Sequence, residues 1–153
     1  MDFVAIATAS DIVSLRDENR ILVAEGFKIL NTNPRPAFRT LVEISGLEIG
    51  KLNTNNIIYT IAPRINAVGR LGDAKRAVKL LTSDNQHDVD EFSDVLNSEN
   101  ETRREIDKNI TDTAFKMYED AEESEYKNAI VIHNDTWHPG VIGIVAARLV
   151  EKF

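Results

Sequence analysis

The segment from Gln86 to Asp120 most constrains the fold, because it keeps apolar residues at helical spacing for about 35 residues. The repeating positions are Val89, Phe92, Leu96, Ile106, Ile110, Ala114, Met117 and Ala121. A helix of this length spans on the order of 50 Å. Its apolar stripe is interrupted by polar residues from Asn97 to Glu105, which is typical of a solvated bridge between two packed regions. The alternative is a bend near residues 97–100 that makes a helical hairpin.

Shorter helices are predicted on the N-terminal side of this segment. They cover Asp17–Leu30, Ala37–Ile44 and Asp73–Leu81, and Ser45–Gly46 supplies a glycine cap for the second of them. The stretch Ile57–Arg70 contains proline, glycine and two arginines and predicts an irregular connection. An acidic turn at residues 122–128 is expected to end the long helix.

Three short apolar runs, Phe3–Ala7, Ile57–Ile61 and Ala129–His133, predict strands. Residues 141–150 are apolar except for Gly143 and Arg148, and apolarity on all sides predicts a core helix. Three strands are too few to bury a parallel sheet. We therefore expect an α+β, predominantly helical fold, and either a segment of a larger protein or a chain that self-associates through exposed apolar surface.

Charge is distributed unevenly along the 153 residues. The formal net charge of −7 argues against a protein whose whole surface binds nucleic acid, and residues 84–125 hold 15 acidic and 4 basic residues. Basic residues concentrate at Arg64, Arg70, Lys75, Arg76 and Lys79. Because charges beyond about 8 Å are screened at physiological salt, this cluster can bind phosphate on an acidic protein. For Lys75, Arg76 and Lys79, a solvated helix face is the alternative.

Other features limit the class of protein. The sequence has no cysteine, which excludes disulfides and thiolate metal sites and is compatible with a reducing cytoplasm. It has no apolar run long enough for a membrane span and no secretory signal pattern. We expect a cytoplasmic protein without a membrane partner.

The residues from Ala129 onward predict a strand, a polar loop and a glycine-opened helix. In such a unit the loop groups and the free amide donors of the helix start converge, which suits an anion. Three motifs then resemble one family. Trp137–Ala146 closely resembles the histidine-bearing motif of RecJ-type single-strand DNA exonucleases, which lies in their second, DHHA1-type domain. Pro63–Gly72 is similar to the family's arginine and asparagine motif, and Ala9–Leu15 followed by Glu18–Arg20 is similar to its fourth aspartate motif.

The resemblance implies a 5′→3′ exonuclease that hydrolyses single-stranded DNA with two Mn²⁺ or Mg²⁺ ions and acts in DNA repair and recombination. It implies the C-terminal part of a DHH-type domain at residues 1–85, a connecting helix at 86–121 and the first strand, loop and helix of a DHHA1-type domain at 122–153. Single-stranded DNA is the implied partner, with a single-strand-binding protein and a helicase as further ones.

The resemblance also assigns residues in the first two motifs. Asp11 matches the fourth aspartate, and a carboxylate there suits Mn²⁺ or Mg²⁺; a turn or cap residue is the alternative. Arg64 and Arg70 match arginines that can hold a phosphate through two hydrogen bonds, and Asn66 can add an amide donor. The alternative for either arginine is a staple that holds the local structure.

In the third motif, His138 is the implied catalytic contact to the scissile phosphate, and Gly140 lets the backbone approach the DNA. Arg148 matches the basic position for a 5′-terminal phosphate, although Ala147 precedes it where the family usually has serine. Trp137 can stack on a base or pack within the protein. The two other histidines have no such context; His87 is expected to be an ordinary helix residue and His133 an ordinary residue at the end of a strand.

The metal ligands of the family are not complete in this sequence. It has no Asp-His-His triplet, and Asp11 is the one candidate ligand that the resemblance provides. We therefore expect the chain alone to be inactive and the full-length protein to be the nuclease. The alternatives are a related phosphodiesterase of short oligonucleotides or cyclic dinucleotides, and a non-catalytic relative that binds nucleic acid.

Overall fold

The computed structural model describes residues 1–11, 13–121 and 129–153, and these residues are predominantly helical, as predicted. The helices in chain order are α1 (Asp2–Ser10), α2 (Asp17–Thr32), α3 (Pro36–Ile44), α4 (Thr54–Asn56), a π-helix (Ile57–Ile61), α5 (Ala62–Leu71), α6 (Lys75–Thr82), α7 (Gln86–Glu119) and α8 (Pro139–Lys152). No strand occurs among the described residues.

The chain forms two compact units, Met1–Asn100 and Glu101–Phe153, and the division falls inside α7. We refer to them as unit 1 and unit 2. The assignment of residues 1–85, 86–121 and 122–153 to DHH-type, connecting and DHHA1-type regions stays a prediction.

Four helix predictions from the sequence are confirmed. The observed α2, α3, α6 and α7 lie within two residues of the predicted bounds. Gly46 follows α3 with a φ of +68°, the left-handed conformation expected of a glycine cap. Because α7 continues without a break from Gln86 to Glu119, the helical hairpin is wrong.

The strand predicted at Phe3–Ala7 is wrong, because these residues lie in α1. The buried positions of α1 are Asp2, Ala5, Ile6 and Ala9, which follow helical rather than alternating spacing. α1 crosses α2 so closely that a Cβ atom on Gly26 would lie 2.3 Å from the Cβ of Ala5. Glycine at position 26 therefore permits this crossing.

The strand predicted at Ile57–Ile61, and the irregular connection after it, are also wrong. A reciprocal capping box between Asn53 and Asn56 starts a helix just before this run. The run then forms a π-helix, in which the Ala62 N–H donates to the Ile57 carbonyl, and α5 follows directly. Pro63 has no N–H and its ring crowds the carbonyl four residues earlier, and a wide π turn before it relieves that crowding.

The strand predicted at Ala129–His133 does not form either, since these residues have no regular secondary structure in the described part of the chain. The acidic turn at 122–128 lies outside the described residues, as does position 12 of the aspartate motif. The core helix expected after Pro139 is only half confirmed. Val141, Val145 and Leu149 are buried, but Ile142 and Val150 are 45% and 79% exposed.

A bidentate ion pair ties the start of α1 to the residue before α3 in unit 1. Arg35 donates from Nε to Asp2 Oδ2 at 2.6 Å and from Nη2 to Asp2 Oδ1 at 3.1 Å. Burial alone would raise the pKa of Asp2, but the hydrogen bonds from Arg35 and from the Phe3 N–H hold that pKa below its ordinary value. The guanidinium of Arg35 also lies 3.9 Å from the ring centre of Phe3.

More than half of the polar residues from Asn97 to Glu105 in α7 are exposed, in keeping with a solvated stretch, but α7 also carries buried polar residues. Asn100 in unit 1 is fully buried, and Asp107 and Thr111 in unit 2 are 2% and 5% exposed. The described helices include none that is long and apolar enough to cross a membrane.

Candidate nucleic-acid interface

The arginine and asparagine motif lies on α5, which places its residues on two faces. Arg64, Ala67 and Val68 point into unit 1, whereas Asn66 and Arg70 are exposed. Pro63 is near the start of α5 and Gly72 follows its last residue, so both flank the helix where their conformations are tolerated. The motif is therefore a helix with one anchoring face and one face open to solvent.

Arg64 is on the anchoring face and is 9% exposed. Its Nη1 donates to the carbonyl of Thr60 at 2.7 Å, inside the π-helix, and its Nε donates to Oδ1 of Asn97 in α7 at 3.0 Å. The Nε and Nη1 donors of the guanidinium are thus used in hydrogen bonds within the protein. This geometry corresponds to the staple described above; the predicted phosphate contact of Arg64 stays a prediction.

Asn66 lies at the edge of a cavity of about 260 Å³ in unit 1. The walls are mostly apolar and come from Phe3, Ile6, Phe38, Ala62, Ile65 and Leu81. Ser10, the last residue of α1, lines the same cavity and directly precedes Asp11. The cavity therefore brings the beginning of the aspartate motif close to Asn66 of α5.

Asp11 ends α1, is exposed, and donates its backbone N–H to the Ala7 carbonyl at 3.1 Å. An exposed carboxylate is a suitable ligand for Mn²⁺ or Mg²⁺. However, no group of three or more His, Cys, Asp or Glu that could hold a metal ion exists within the described ranges. The described residues thus do not form a complete metal site, and Asp11 would be one ligand of such a site.

The basic residues of α6 have mixed surroundings. Arg76 forms an ion pair with Glu99 of α7, and the Lys79 ammonium lies 5.8 Å from the ring centre of Phe92. Lys75 is exposed. Because one of the three charges is compensated within unit 1, α6 resembles an ordinary solvated helix face more than a dedicated phosphate site.

In unit 2, His138 is the N-cap of α8. Its Nδ1 accepts a hydrogen bond from the Gly140 N–H at 3.1 Å. When Nδ1 accepts, the proton of the neutral ring is on Nε2, which leaves Nε2 as the donor that faces away from the helix. The helix start adds partial positive charge at the same place. His138 is half-buried, so this donor is held in a defined orientation beside a surface that favours anions.

Trp137 precedes this cap and is half-buried against apolar residues of unit 2. It lines a cavity of about 460 Å³. The apolar walls include Ile130, Ile132, Pro139, Ile142 and Val145. A Cβ atom on Gly143, which also lines the cavity, would meet nothing within 4 Å. Trp137 thus lies beside an apolar cavity, and both base stacking and packing of its ring stay predictions.

Arg148 is near the end of α8 and its side chain is 43% exposed. Its Nη2 donates to Asp107 Oδ2 at 2.8 Å, and its Nη1 donates to the Thr111 hydroxyl at 3.3 Å. Both partners lie on α7 and both are buried. Arg148 is thus fixed at one edge, while its other edge faces solvent.

His87 lies in α7, as predicted, and is exposed. His133 was predicted at the end of a strand, but the described residues around it form none; its side chain is 81% exposed and lies 3.3 Å from Asp135. Sequence reasoning missed Asn97, Asp107 and Thr111, which hold the motif arginines. They lie within or just beyond the polar interruption of α7, and that interruption was the available signal.

Comparison with known proteins decides the family. No protein-family model matches the chain. The single-stranded-DNA-specific exonuclease RecJ of Bacillus subtilis is 37% identical over 153 residues, which is 100% of this chain and 19% of that protein. The protein of the same name from Escherichia coli is 33% identical over 156 residues, which is 100% of this chain and 27% of that protein. The chain belongs with the RecJ proteins.

Solved RecJ structures agree with this result. A crystal structure of RecJ in complex with Mg²⁺ from Thermus thermophilus matches with a TM-score of 0.84 at 33% identity, covering 98% of this chain and 23% of that one. A crystal structure of exonuclease RecJ bound to manganese matches with a TM-score of 0.82 at 31% identity, covering 98% of this chain and 38% of that one. The chain thus spans about a fifth to a quarter of the length of the curated RecJ relatives compared here.

Proposed function

We propose that this chain is the part of a 5′→3′ single-stranded-DNA exonuclease that holds the DNA backbone beside the reaction centre. The observation that carries the proposal is the similarity to RecJ, which extends over the whole chain at 37% identity. The relatives are named as single-stranded-DNA-specific exonucleases. The chain aligns with only a part of each relative, so the activity belongs to the full-length protein and the chain alone is inactive.

The exposed motif residues support a contact with phosphates. The Nε2 donor of His138 and the start of α8 favour an anion, and the Gly140 backbone adjoins that donor. Asn66 and Arg70 present an amide and a guanidinium from one helix. In the proposed function these groups position the strand, and His138 contacts the phosphate that is cleaved.

Arg64 and Arg148 also belong to the proposed DNA contacts. Both donate hydrogen bonds to the protein, Arg64 from a buried position and Arg148 from an exposed one. An arginine has five N–H donors, and the exposed edge of Arg148 retains capacity for a phosphate oxygen. In the proposal Arg148 receives the terminal phosphate and Arg64 an internal one.

A divalent metal would activate water and stabilise the leaving oxygen in such an enzyme. The neighbouring crystal structures are described as complexes with Mg²⁺ or manganese. The described residues of this chain do not form the site by themselves, so we propose Asp11 as one ligand and place the others elsewhere in the full-length protein.

Three broader assignments are part of the same proposal. The first is the division into a DHH-type part at 1–85, a connecting helix at 86–121 and a DHHA1-type part at 122–153. The second is a cytoplasmic role in DNA repair and recombination, with a single-strand-binding protein and a helicase as partners. The third is self-association of the isolated chain, which the exposed Ile142 and Val150 of α8 favour.

The test is digestion of 5′-labelled single-stranded DNA by the full-length protein with Mn²⁺. We expect long strands to be degraded, and His138→Ala and Arg64→Ala each to reduce kcat/KM by at least about a hundredfold, the size of effect seen when a transition-state contact is removed. His87→Ala is the matched control, since His87 is exposed and outside the motifs. Full activity in both variants would refute the site assignment.

Substrate length separates the proposal from its alternatives. Cleavage of dinucleotides and cyclic dinucleotides without digestion of long strands would identify the short-substrate phosphodiesterase. Binding of single-stranded DNA without any hydrolysis would identify a non-catalytic relative.

A further inference from the structure

The buried carboxylate of Asp107 lies at the centre of a charged cluster in unit 2. Its side chain is 3% exposed and accepts a hydrogen bond from Arg148 Nη2 at 2.8 Å. Arg103, one turn earlier on α7, places Nη1 3.7 Å from the same carboxylate oxygen. The Thr111 hydroxyl, one turn later, lies 3.4 Å from Asp107 Oδ1 and accepts from Arg148 Nη1.

Two guanidinium groups, those of Arg103 and Arg148, lie beside the single buried carboxylate of Asp107. Arg148 makes the shorter of these two contacts, at 2.8 Å against 3.7 Å. Of the two arginines, Arg148 is therefore the one that Asp107 holds more closely.

The geometry leaves one edge of Arg148 available. The two terminal nitrogens, Nη1 and Nη2, donate to Thr111 and Asp107, while Nε makes no hydrogen bond with the described residues. The side chain is 43% exposed, in contrast to its buried partners. A free arginine loses rotamer entropy when it is immobilised on a ligand. Asp107 and Thr111 already hold Arg148 in place before any ligand arrives.

We infer that Asp107, together with Thr111, is a positioning residue that aims Arg148 at a phosphate of the bound strand. The inference rests on the proposed function, because it takes the ligand of Arg148 to be DNA. It adds that a buried acidic residue on α7 is needed for DNA binding. The competing explanation is a purely structural one, in which the same ion pair only fastens α8 to the C-terminal half of α7.

The sign of one substitution separates positioning from the electrostatic effect of the Asp107 charge, and the Glu119→Gln control below addresses the fastening of α8. Asp107→Asn removes a negative charge near the DNA, so long-range electrostatics alone predicts tighter binding. Loss of positioning predicts the reverse. We expect Asp107→Asn to weaken binding about tenfold, the worth of one charge-assisted hydrogen bond. Thr111→Val, which keeps the carboxylate and removes one hydroxyl, should weaken binding about threefold, which is within the range of a neutral hydrogen bond.

Binding is measured by fluorescence anisotropy of a labelled single-stranded oligonucleotide with the full-length protein in metal-free buffer, where no hydrolysis is required. The oligonucleotide is used with a 5′-phosphate and with a 5′-hydroxyl. The positioning role predicts that Asp107→Asn adds little to Arg148→Ala in the double variant, because both remove the same contact. Glu119→Gln is the matched control: it breaks the exposed 2.6 Å pair with Lys152, which also joins α7 to α8, and should leave binding unchanged.

Each outcome has a defined reading. Binding by Asp107→Asn and Thr111→Val that equals or exceeds that of the wild type, with Arg148→Ala impaired, overturns the positioning role and leaves the proposed function intact. Independent, additive effects of Asp107→Asn and Arg148→Ala overturn it as well. Arg148→Ala binding like the wild type overturns both the role of Arg148 and that of Asp107. If Asp107→Asn does not fold, the Thr111→Val result decides.

Discussion

Gly26→Ala tests the closeness of the crossing between α1 and α2. A Cβ atom added at position 26 would lie 2.3 Å from the Cβ of Ala5 and 2.7 Å from the carbonyl oxygen of Met1. Both distances are far below van der Waals contact. The oxygen belongs to the backbone, so it cannot be moved by rotating a side chain. The helices themselves must separate to accept the methyl group.

Two opposing effects determine the size of the change. Alanine is favoured over glycine in a helix interior by about 1 kcal/mol. Overpacking of a buried position costs typically about 1–3 kcal/mol, and the two short contacts of position 26 place it at the upper end of that range. We therefore expect Gly26→Ala to lower the free energy of unfolding by about 1–2 kcal/mol.

Urea unfolding followed by far-ultraviolet circular dichroism measures this change. Gly143→Ala is the matched control, because Gly143 is also inside a helix but a Cβ there would meet no atom within 4 Å. At this position only the higher helix propensity of alanine acts, so Gly143→Ala should raise the free energy of unfolding by up to about 1 kcal/mol. Ala5→Gly in the Gly26→Ala background removes the Cβ contact and should recover part of the loss. An increase in stability for Gly26→Ala alone would refute the close crossing.

Three further predictions concern unit 1. Because the pKa of Asp2 is lowered in the folded state, its carboxylate stabilises the fold fully above the unfolded-state pKa of about 4, and this stabilisation is lost as the pH falls through the lower folded-state pKa. In Asp2→Asn the free energy of unfolding should therefore fall less steeply as the pH is lowered. An unchanged decline at acid pH would contradict the ion pair with Arg35. Arg64→Met should cost about 2 kcal/mol in urea unfolding, because the part-buried acceptors of Thr60 and Asn97 each lose a hydrogen bond from a charged donor; no loss would refute the staple. Asn31→Ala removes four hydrogen bonds that its side chain makes to backbone groups and should lower the thermal midpoint, at a cost of about 2 kcal/mol.

The helices that the sequence predicted correctly have long periodic patterns or clear end signals. α7 repeats its apolar residues over most of its length, and α3 ends at a glycine in the left-handed conformation. The strand predictions failed because a run of five apolar residues has no period that distinguishes a strand from a helix. For Phe3–Ala7 the wider window, from Asp2 to Ala9, held the helical signal. For Ile57–Ile61 the deciding residues were the cap at Asn53 and Asn56.

The sequence predicted the motif residues of the candidate site but not the side chains that hold those residues by hydrogen bonds. Arg64 and Arg148 were both identified from the resemblance, whereas their partners Asn97 and Asp107 were assigned to a solvated face. Asp107 is separated from Arg148 by 41 residues in sequence, and no local pattern links the two. Burial of a polar helix residue depends on the element that packs on it, which a single sequence does not specify.

Because Ile57–Ile61 forms a π-helix before α5, the number of residues in this segment affects how the preceding chain is oriented. A π turn holds one residue more than an α turn, and each residue of an α-helix turns the chain by about 100°. Deleting one residue from Ile57–Ile61 would restore α pitch and rotate everything before it against α5 by that angle. Leu52, which Asn31 holds in place through two hydrogen bonds, would then face a different direction. Substitutions in this segment can be absorbed locally, whereas a change of one residue in length would shift the angular register of the preceding chain.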